Sequence, residues 1–193
     1  MYIAIEGIDG VGKSTQLALL QKKYPDAVIT KEPGGTPFGQ KIREMLLNSN
    51  DFSKETEMLL FLADRAEHRD KVITPALKSH KMLISDRSFI SGIAYANDNF
   101  SDTRLLDLNH FALQGTLPDK VIFLYLSQEQ LEARFITRNE SKDHIEKRGF
   151  QYLISVQNKM QNILQTSKLD SIQINADQSI EKIHQQIKEF IND

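Results

Sequence analysis

The chain has 193 residues, 40% hydrophobic and 26% charged, which is typical of one globular domain and excludes a disordered chain. It contains no cysteine, which excludes disulfides and thiolate chemistry, and its net charge of −2 excludes a global attraction to nucleic acid. No apolar run approaches the roughly 20 residues of a membrane span, and a motif beginning at Gly7 leaves no space for a signal peptide, so we expect a cytoplasmic protein.

The first predicted elements are a strand, a glycine-rich loop and a helix. Tyr2–Glu6 is a short apolar run typical of a buried strand, and the residues from Thr15 onward predict a helix. Between them, Gly7-Ile8-Asp9-Gly10-Val11-Gly12-Lys13-Ser14 fills every fixed position of a P-loop. In such a loop backbone N–H groups face phosphates, Lys13 reaches the β- and γ-phosphates, and Ser14 ligates Mg²⁺. We therefore predict that this run and Thr15 bind a nucleoside triphosphate and Mg²⁺. The alternative is a glycine-rich turn that binds nothing.

Four further strands are predicted downstream. They are Ala27–Lys31, Lys81–Ser85, Lys120–Leu126 and Ser171–Ala176. The fourth strand of the chain is apolar after its first residue, as expected of a central parallel strand that is covered on both faces. Long helical stretches between the strands supply the crossovers that parallel pairing requires. We predict one α/β domain over residues 1–193, with three layers built around a five-stranded parallel sheet.

The last predicted helix carries isoleucines at helical spacing. They are Ile180, Ile183, Ile187 and Ile191. Charged and amide residues fill the positions between them, so we interpret this stripe as core packing.

Two further segments follow strands, on the edge of the sheet that carries the P-loop. Asp86 is suited to the neighbourhood of the Mg²⁺ ion, and Arg87 to a bidentate contact with a phosphate. Alone, this dipeptide fits a turn or a helix cap beside a solvated arginine equally well. The segment Glu32-Pro33-Gly34-Gly35-Thr36-Pro37 predicts a rigid loop from its Pro and Gly residues. Judged by its composition alone, this segment is a structural turn.

With these segments the chain resembles the thymidylate kinase family. The matching runs are Ile5–Thr15, Lys31–Thr36, Phe61-Leu62-Ala63-Asp64-Arg65, Asp86-Arg87 and Ser91-Gly92-Ile93-Ala94-Tyr95. The Glu-Pro-Gly-Gly-Thr loop and the Phe-x-x-x-Arg element are much more specific than the P-loop, which many kinases and ATPases share. The resemblance implies a P-loop kinase fold with a lid at approximately 138–149. It also implies a homodimer that transfers the γ-phosphoryl group of ATP·Mg²⁺ to dTMP, giving dTDP for dTTP synthesis, with no nucleic-acid or membrane partner.

The resemblance assigns four side chains to the nucleoside part of dTMP. It implies that Phe61 stacks on thymine and that Arg65, one helical turn later on the same face, bonds the edge of the base. Asp9 is implied to accept a hydrogen bond from the 3′-hydroxyl, and Tyr95 to pack under the sugar and favour deoxyribose. Without the resemblance, the residues favour ordinary core for Phe61 and a half-buried aromatic for Tyr95, and Arg65 lies in a charged run typical of a solvated helix face.

Other assignments concern the phosphates. The resemblance implies that Arg43 and Arg87 grip the monophosphate, that Glu32 and Ser91 complete the substrate site, and that Asp86 serves the Mg²⁺ neighbourhood. Because the acceptor is an anionic phosphate, no general base is required, and catalysis depends on positioning and on neutralisation of charge.

The resemblance also implies that cations of the lid neutralise the transferring phosphoryl group. The basic residues of this region are Arg134, Arg138, Lys142, His144, Lys147 and Arg148. We predict that Arg138 is the principal lid cation and that His144, where bacterial relatives commonly carry arginine, supports it. Together with Lys13 and Arg87, these two residues form the predicted catalytic set. The chain also has Ala96 where family members often have glutamine.

Two other function classes compete with a thymidylate kinase. Another small-molecule kinase of the same fold stays open, although an alcohol acceptor usually calls for a general base that paired phosphate arginines do not supply. A GTPase switch requires an Asn-Lys-x-Asp motif, whereas Asn158-Lys159 continues with Met160 in a predicted helix. Candidate dimer surfaces are Phe52–Leu77 and Leu105–Leu113, whose apolar residues core packing explains equally well.

Overall fold

The computed structural model describes residues 1–48, 52–96, 100–137 and 149–193. Within these residues five strands form one sheet with the order β2-β3-β1-β4-β5, and every neighbouring pair is parallel. The strands are β1 (Tyr2–Glu6), β2 (Val28–Lys31), β3 (Leu83–Asp86), β4 (Lys120–Tyr125) and β5 (Asp170–Asn175). The predicted α/β architecture with a five-stranded parallel sheet is confirmed.

Four of the five strands begin or end one or two residues from their predicted bounds, and β3 differs most. Lys81 donates its backbone N–H to the carbonyl of Ala76, so it still belongs to the turn before the strand. At the other end Asp86 pairs in register with Ile5 of β1 and with Lys31 of β2. The sheet ladder therefore includes Asp86, which fixes the backbone position of this carboxylate.

Helices connect the strands and cover the sheet. In the described residues they are α1 (Lys13–Lys23), α2 (Pro37–Asn48), α3 (Lys54–His68), α4 (Thr74–Lys78), α5 (Phe89–Ala96), α6 (Asp102–Leu113), α7 (Gln128–Thr137), α8 (Phe150–Thr166) and α9 (Ile180–Asn192). A π-helical turn, Arg69–Ile73, joins α3 to α4. Side chains of Ser53 and Ser101 cap the N-termini of α3 and α6 by accepting backbone N–H groups. None of the described helices is long and apolar enough to cross a membrane.

The apolar core lies on both faces of the central strands, which are buried along β1 and most of β4. The predicted isoleucine stripe of α9 is buried at Ile183, Ile187 and Ile191. Ile180, however, is 49% exposed, so its assignment to the core was wrong. It is the first residue of α9, where its backbone carbonyl, rather than its side chain, makes the contact by accepting a hydrogen bond from Gln16.

Candidate active site

The P-loop joins the carboxyl end of β1 to α1 and depends on glycine for its path. Gly7 has a φ of 141°, and a Cβ there would collide with the backbone carbonyl of Leu124. Gly12 precedes α1 in the left-handed region, with a φ of 98°, and the helix begins at Lys13. The loop therefore ends at a helix N-terminus, the end of the helix dipole that favours anions.

Lys13 is held at the centre of this loop. Its buried ammonium group donates to the carbonyls of Gly7 at 3.0 Å and Ile8 at 2.9 Å, and it lies 3.8 Å from Oδ1 of Asp9. Burial, together with the nearby charge of Arg87, lowers the pKa of Lys13 to about 8. An anionic phosphate close to the loop would favour the charged form of this lysine.

Asp86 and Ser14 face one open depression beside the P-loop. Oδ1 of Asp86 is buried and has no hydrogen-bond partner among the residues that the structure describes. A buried carboxylate oxygen without a partner is costly unless a ligand satisfies it, and carboxylate and hydroxyl oxygens are preferred ligands of Mg²⁺. The residues at this position therefore fit a magnesium ion.

A second pocket is lined in part by Asp9 of the P-loop. It contains all eight side chains that the family resemblance assigns to the substrate. They are Asp9, Glu32, Arg43, Phe61, Arg65, Arg87, Ser91 and Tyr95. These residues come from the P-loop, the loop after β2, helices α2, α3 and α5, and the turn after β3. These residues span 87 positions of the sequence, and the fold brings them together in one pocket.

Arg87 is fixed at the boundary between the pocket and the P-loop. Its φ is 73°, and its Nη1 donates to the carbonyl of Gly7 at 2.8 Å and to Oγ of Ser91 at 3.1 Å. Its Nη2 donates to Oδ1 of Asp9 at 2.6 Å, and its guanidinium carbon lies 5.2 Å from the ring centre of Tyr95. Burial opposes ionisation of Asp9, but Arg87 and Lys13 outweigh it and lower the pKa of Asp9 to about 2.

Arg65 is only 2% exposed, so the charged run around it is not a solvated helix face. Its Nε donates to Oε2 of Glu32 at 2.8 Å, its Nη1 to Oδ1 of Asn109 at 2.6 Å, and its Nη2 to the carbonyl of Ser88 at 3.3 Å. These bonds use three of the five N–H donors of a guanidinium group, and Arg65 still lines the pocket. The side chain is therefore oriented before any ligand binds.

Phe61, Tyr95 and Arg43 form the other walls of the pocket. Phe61 is half-buried and lies outside the apolar clusters formed by the described residues, which argues against an ordinary core role. The hydroxyl of Tyr95 is buried without a hydrogen-bond partner in the described parts of the chain, and burial raises its pKa. Nη1 of Arg43 donates to the carbonyl of Pro33 at 3.1 Å, which ties α2 to the loop after β2.

Sequence reasoning missed the residues that support this pocket. His68 is fully buried, with Nδ1 at 2.8 Å from Oε1 of Glu32 and Nε2 at 2.6 Å from Oγ1 of Thr30. Burial would raise the pKa of Glu32, but Arg65 and His68 lower it below its ordinary value. His68 follows Arg65 by three residues, so helical spacing was a usable signal for it. Asn109 had no such signal, because it lies 44 positions away from Arg65 on a different helix.

Asp64 supports the loop after β2 at a cost in stability. It is 1% exposed, and its Oδ1 accepts the backbone N–H of Gly34 at 3.0 Å. Burial raises its pKa from 3.8 to about 6. Since the native carboxyl holds its proton more tightly than the unfolded one, the free energy of unfolding falls as pH rises through this range.

We expect Asp64→Asn to stabilise the protein at neutral pH, because the amide oxygen can still accept the Gly34 N–H without a buried charge. The free energy of unfolding should rise by at most about 3 kcal/mol at pH 7.5 and by about half of that at pH 5. Urea denaturation at both pH values measures it. Asp107→Asn on the exposed face of α6 is the control for the loss of one carboxylate. A variant that is less stable than wild type at pH 7.5 would contradict the expectation.

The predicted lid is mostly outside the described residues. Arg138 and His144, together with Lys142, Lys147 and Arg148, fall in 138–148. Arg134 of α7 is described: its Nη1 donates to the carbonyl of Gly10 at 3.3 Å, and its Nη2 donates to the carbonyl of Ala176. The helix that leads into residues 138–148 therefore contacts the P-loop directly.

Comparisons with known proteins agree with this geometry. The sequence model of the family described as Thymidylate kinase matches residues 5–187. A thymidylate kinase of Campylobacter concisus is 49% identical over 196 residues, with 100% of this chain and 99% of the relative covered. One from Sulfurimonas denitrificans is 48% identical, with both chains fully covered. The crystal structure of thymidylate kinase from Ehrlichia chaffeensis is similar with a TM-score of 0.79 and 26% identity, covering 100% of this chain and 98% of that one.

Proposed function

Since the chain belongs to the thymidylate kinase family, it is a phosphotransferase that moves a phosphoryl group from ATP to dTMP, and we propose that the transfer takes place between the two sites beside the P-loop. The observation that carries this proposal is the single pocket that joins Asp9 and Arg87 of the P-loop region to Phe61 and Arg65. One end of this pocket offers charge for a phosphate, and the other offers an aromatic face and an oriented donor for a base.

In this proposal the acceptor nucleotide lies across the pocket. Arg87 and Arg43 bind its phosphate, because a guanidinium group matches the geometry of phosphate oxygens. Phe61 stacks on thymine, and the N–H groups of Arg65 that face the pocket bond the edge of the base. Tyr95 packs under the sugar.

Three acidic or hydroxyl residues complete the proposed acceptor site. Asp9 accepts a hydrogen bond from the 3′-hydroxyl while it stays ionised beside Arg87. Glu32 holds Arg65 in orientation, and Ser91 holds Arg87. These contacts fix the two arginines before the nucleotide arrives, so less conformational entropy is lost on binding.

The chemical step needs charge and alignment rather than a base. The second pKa of a phosphate monoester is about 6, so an oxygen of dTMP is already anionic near pH 7 and can attack the γ-phosphorus of ATP directly. Lys13 and the N–H groups of the P-loop bind the β- and γ-phosphates, while Arg87 faces the acceptor phosphate. Both reactants are thereby held in line across the P-loop.

Mg²⁺ and the lid complete the proposed catalytic site. Ser14 and Asp86 would hold the ion, whose charge neutralises phosphate oxygens of ATP when it is bound. The family resemblance implies that lid cations act here, and we propose Arg138 as the principal one and His144 as its support, because arginine is permanently charged. These two assignments rest on the sequence alone.

An acceptor panel tests the proposed function. Purified protein with ATP and Mg²⁺ is given dTMP, dUMP, dCMP, dGMP or dAMP, and the release of ADP is followed. We expect dTMP to have the highest kcat/KM. If another monophosphate or a nucleoside is preferred, the chain is a different small-molecule kinase of the same fold.

Replacement of Phe61 separates stacking from packing. Phe61→Ala should raise the KM for dTMP by about 5- to 150-fold with little change for ATP, since stacking of a base is worth about 1–3 kcal/mol. Phe61→Leu keeps apolar volume without the aromatic face and should show most of the same loss. A lowered melting temperature with both KM values unchanged would assign Phe61 to the core instead.

We also propose a homodimer. Helices α2, α3 and α6 pack side by side and expose large apolar side chains, most prominently Phe111 at 81% and Leu59 at 57%. Sedimentation should give twice the chain mass of 22.1 kDa, and Leu59→Glu with Phe111→Glu should reduce it to one chain. Ile180→Glu, which changes an exposed isoleucine on α9, should leave the mass unchanged. A wild-type protein that sediments as a single chain would exclude the dimer.

Two remaining aspects are part of the proposal. We propose that residues 1–193 form one domain, because the five strands belong to one sheet and its helices pack on that sheet. We propose a cytoplasmic location, which agrees with a chain that contains no cysteine and so depends on no disulfide.

A further inference from the structure

Glu6, the last residue of β1, has a fully buried side chain that the proposed mechanism leaves without a role. Its Oε1 accepts two hydrogen bonds of 2.7 Å from Ser88, one from the backbone N–H and one from the hydroxyl. Its Oε2 accepts a hydrogen bond of 2.5 Å from the hydroxyl of Ser91. Burial raises the pKa of Glu6, and the hydrogen bonds from Ser88 and Ser91 oppose that rise.

One branch of these contacts leads to the phosphate end of the acceptor pocket. The hydroxyl of Ser91 gives its single proton to Glu6, so its lone pairs are directed to other donors. Nη1 of Arg87 donates to that oxygen at 3.1 Å. The carboxylate therefore determines which way the serine hydroxyl points and, through it, holds the guanidinium group of Arg87.

The other branch leads to the base end of the pocket. The backbone N–H and hydroxyl of Ser88 are both bonded to Glu6, which fixes this residue immediately after the left-handed Arg87. The carbonyl of Ser88 accepts the hydrogen bond from Nη2 of Arg65 at 3.3 Å. The turn after β3 thus carries one arginine and orients the other, and Glu6 holds this turn.

We propose that Glu6 is a positioning residue that sets both arginines of the acceptor pocket from one buried carboxylate. The inference rests on the proposed acceptor role of this pocket. An amide is a poor substitute, because it has one acceptor oxygen for three donors. Its NH₂ group would face the Ser91 hydroxyl as a donor, so the serine proton would lose its acceptor and the hydroxyl would no longer be held in the orientation that receives Arg87.

The test compares two ligands that report on the two ends of the pocket. Thymidine lacks the phosphate and reports on the base end, whereas dTMP reports on both ends. Their affinities are measured by calorimetry for wild type, Glu6→Gln, Ser91→Ala and Asp119→Asn. Asp119 is the matched control, since its carboxylate accepts the backbone N–H of Tyr2 at 2.6 Å, at the opposite end of the same strand.

We expect Glu6→Gln to weaken the affinity for dTMP by at least about tenfold and the affinity for thymidine by at least about threefold. The KM for ATP should be nearly unchanged. Ser91→Ala should weaken the affinity for dTMP but not the affinity for thymidine, because it breaks only the contacts that lead from Glu6 to Arg87. Asp119→Asn should leave both affinities at the wild-type value.

Other results would overturn the proposal. If Glu6→Gln lowers the melting temperature but leaves both affinities unchanged, Glu6 serves stability alone; if only dTMP is weakened, it does not orient Arg65. Should Glu6→Gln fail to fold, the double variant Ser88→Ala/Ser91→Ala removes two of the three donors, and unchanged thymidine affinity there refutes the shared anchor. The proposed function is judged separately, from whether wild type releases ADP with dTMP.

Discussion

Lys13→Ala should nearly abolish phosphoryl transfer while the fold stays intact. Lys13 is the P-loop side chain whose ammonium group is buried at the loop centre, between the carbonyls of Gly7 and Ile8. Its loss removes a positive charge from the position where the β- and γ-phosphates bind. We expect kcat to fall by more than about a hundredfold, or about 2.7 kcal/mol of transition-state stabilisation.

Single-turnover kinetics with saturating ATP and dTMP measure this loss, and circular dichroism verifies the fold. Lys22→Ala is the matched control, because Lys22 lies on the same helix with an exposed side chain, and its kcat should equal that of wild type. A Lys13→Ala enzyme that keeps a tenth or more of the wild-type kcat would refute the assignment of this loop as the donor site.

Arg87→Ala should cause the largest loss on the acceptor side. The guanidinium group contacts Gly7, Asp9 and Ser91, so it is oriented before the acceptor phosphate arrives. Truncation removes a charged contact to the phosphate and leaves the carboxylate of Asp9 without its 2.6 Å partner. The pair with Asp9 is only partly buried, so most of the loss should come from the missing phosphate contact, and kcat/KM for dTMP should fall by at least about 30-fold, or about 2 kcal/mol.

The effect of Arg87→Ala should be specific to the acceptor. The KM for ATP should change much less than the KM for dTMP, and the affinity for thymidine should fall less than the affinity for dTMP because thymidine carries no phosphate. Arg104→Ala, at an exposed position of α6, is the control for the loss of one positive charge. Equal changes in the two KM values would mean that Arg87 acts on the donor instead.

Much of the fold was predictable because the strongest signals are local. The strand β1, the P-loop and the N-terminal part of α1 follow one another without interruption, and the apolar run of β4 indicates a strand that is covered on both faces. The parallel order follows from helices placed between strands. The errors at strand ends arise because pairing with a neighbouring strand, as at Asp86, leaves no local signal in the sequence.

The acceptor site was predictable only in part. Phe61, Arg65 and the Glu32 loop could be assigned from the family resemblance, but the charged run around Arg65 indicates a solvated face when it is considered alone. Its burial depends on partners from distant segments, namely Glu32 and Asn109. No spacing rule links positions 33 and 44 residues away from Arg65, so the supporting network emerges only when the helices are packed.

The sheet order also has a consequence for how the chain folds during its synthesis. β1 is made first, yet its two neighbours are β3 and β4, and Ile3 pairs with Ile84 on one side and with Lys120 on the other. At about 5–20 residues per second, a ribosome needs about 6–24 s to reach the second of these partners. Until then the apolar strand that carries the P-loop has no complete sheet to enter. We therefore expect the nucleotide site, although encoded at the N-terminus, to form late, once β4 has been made.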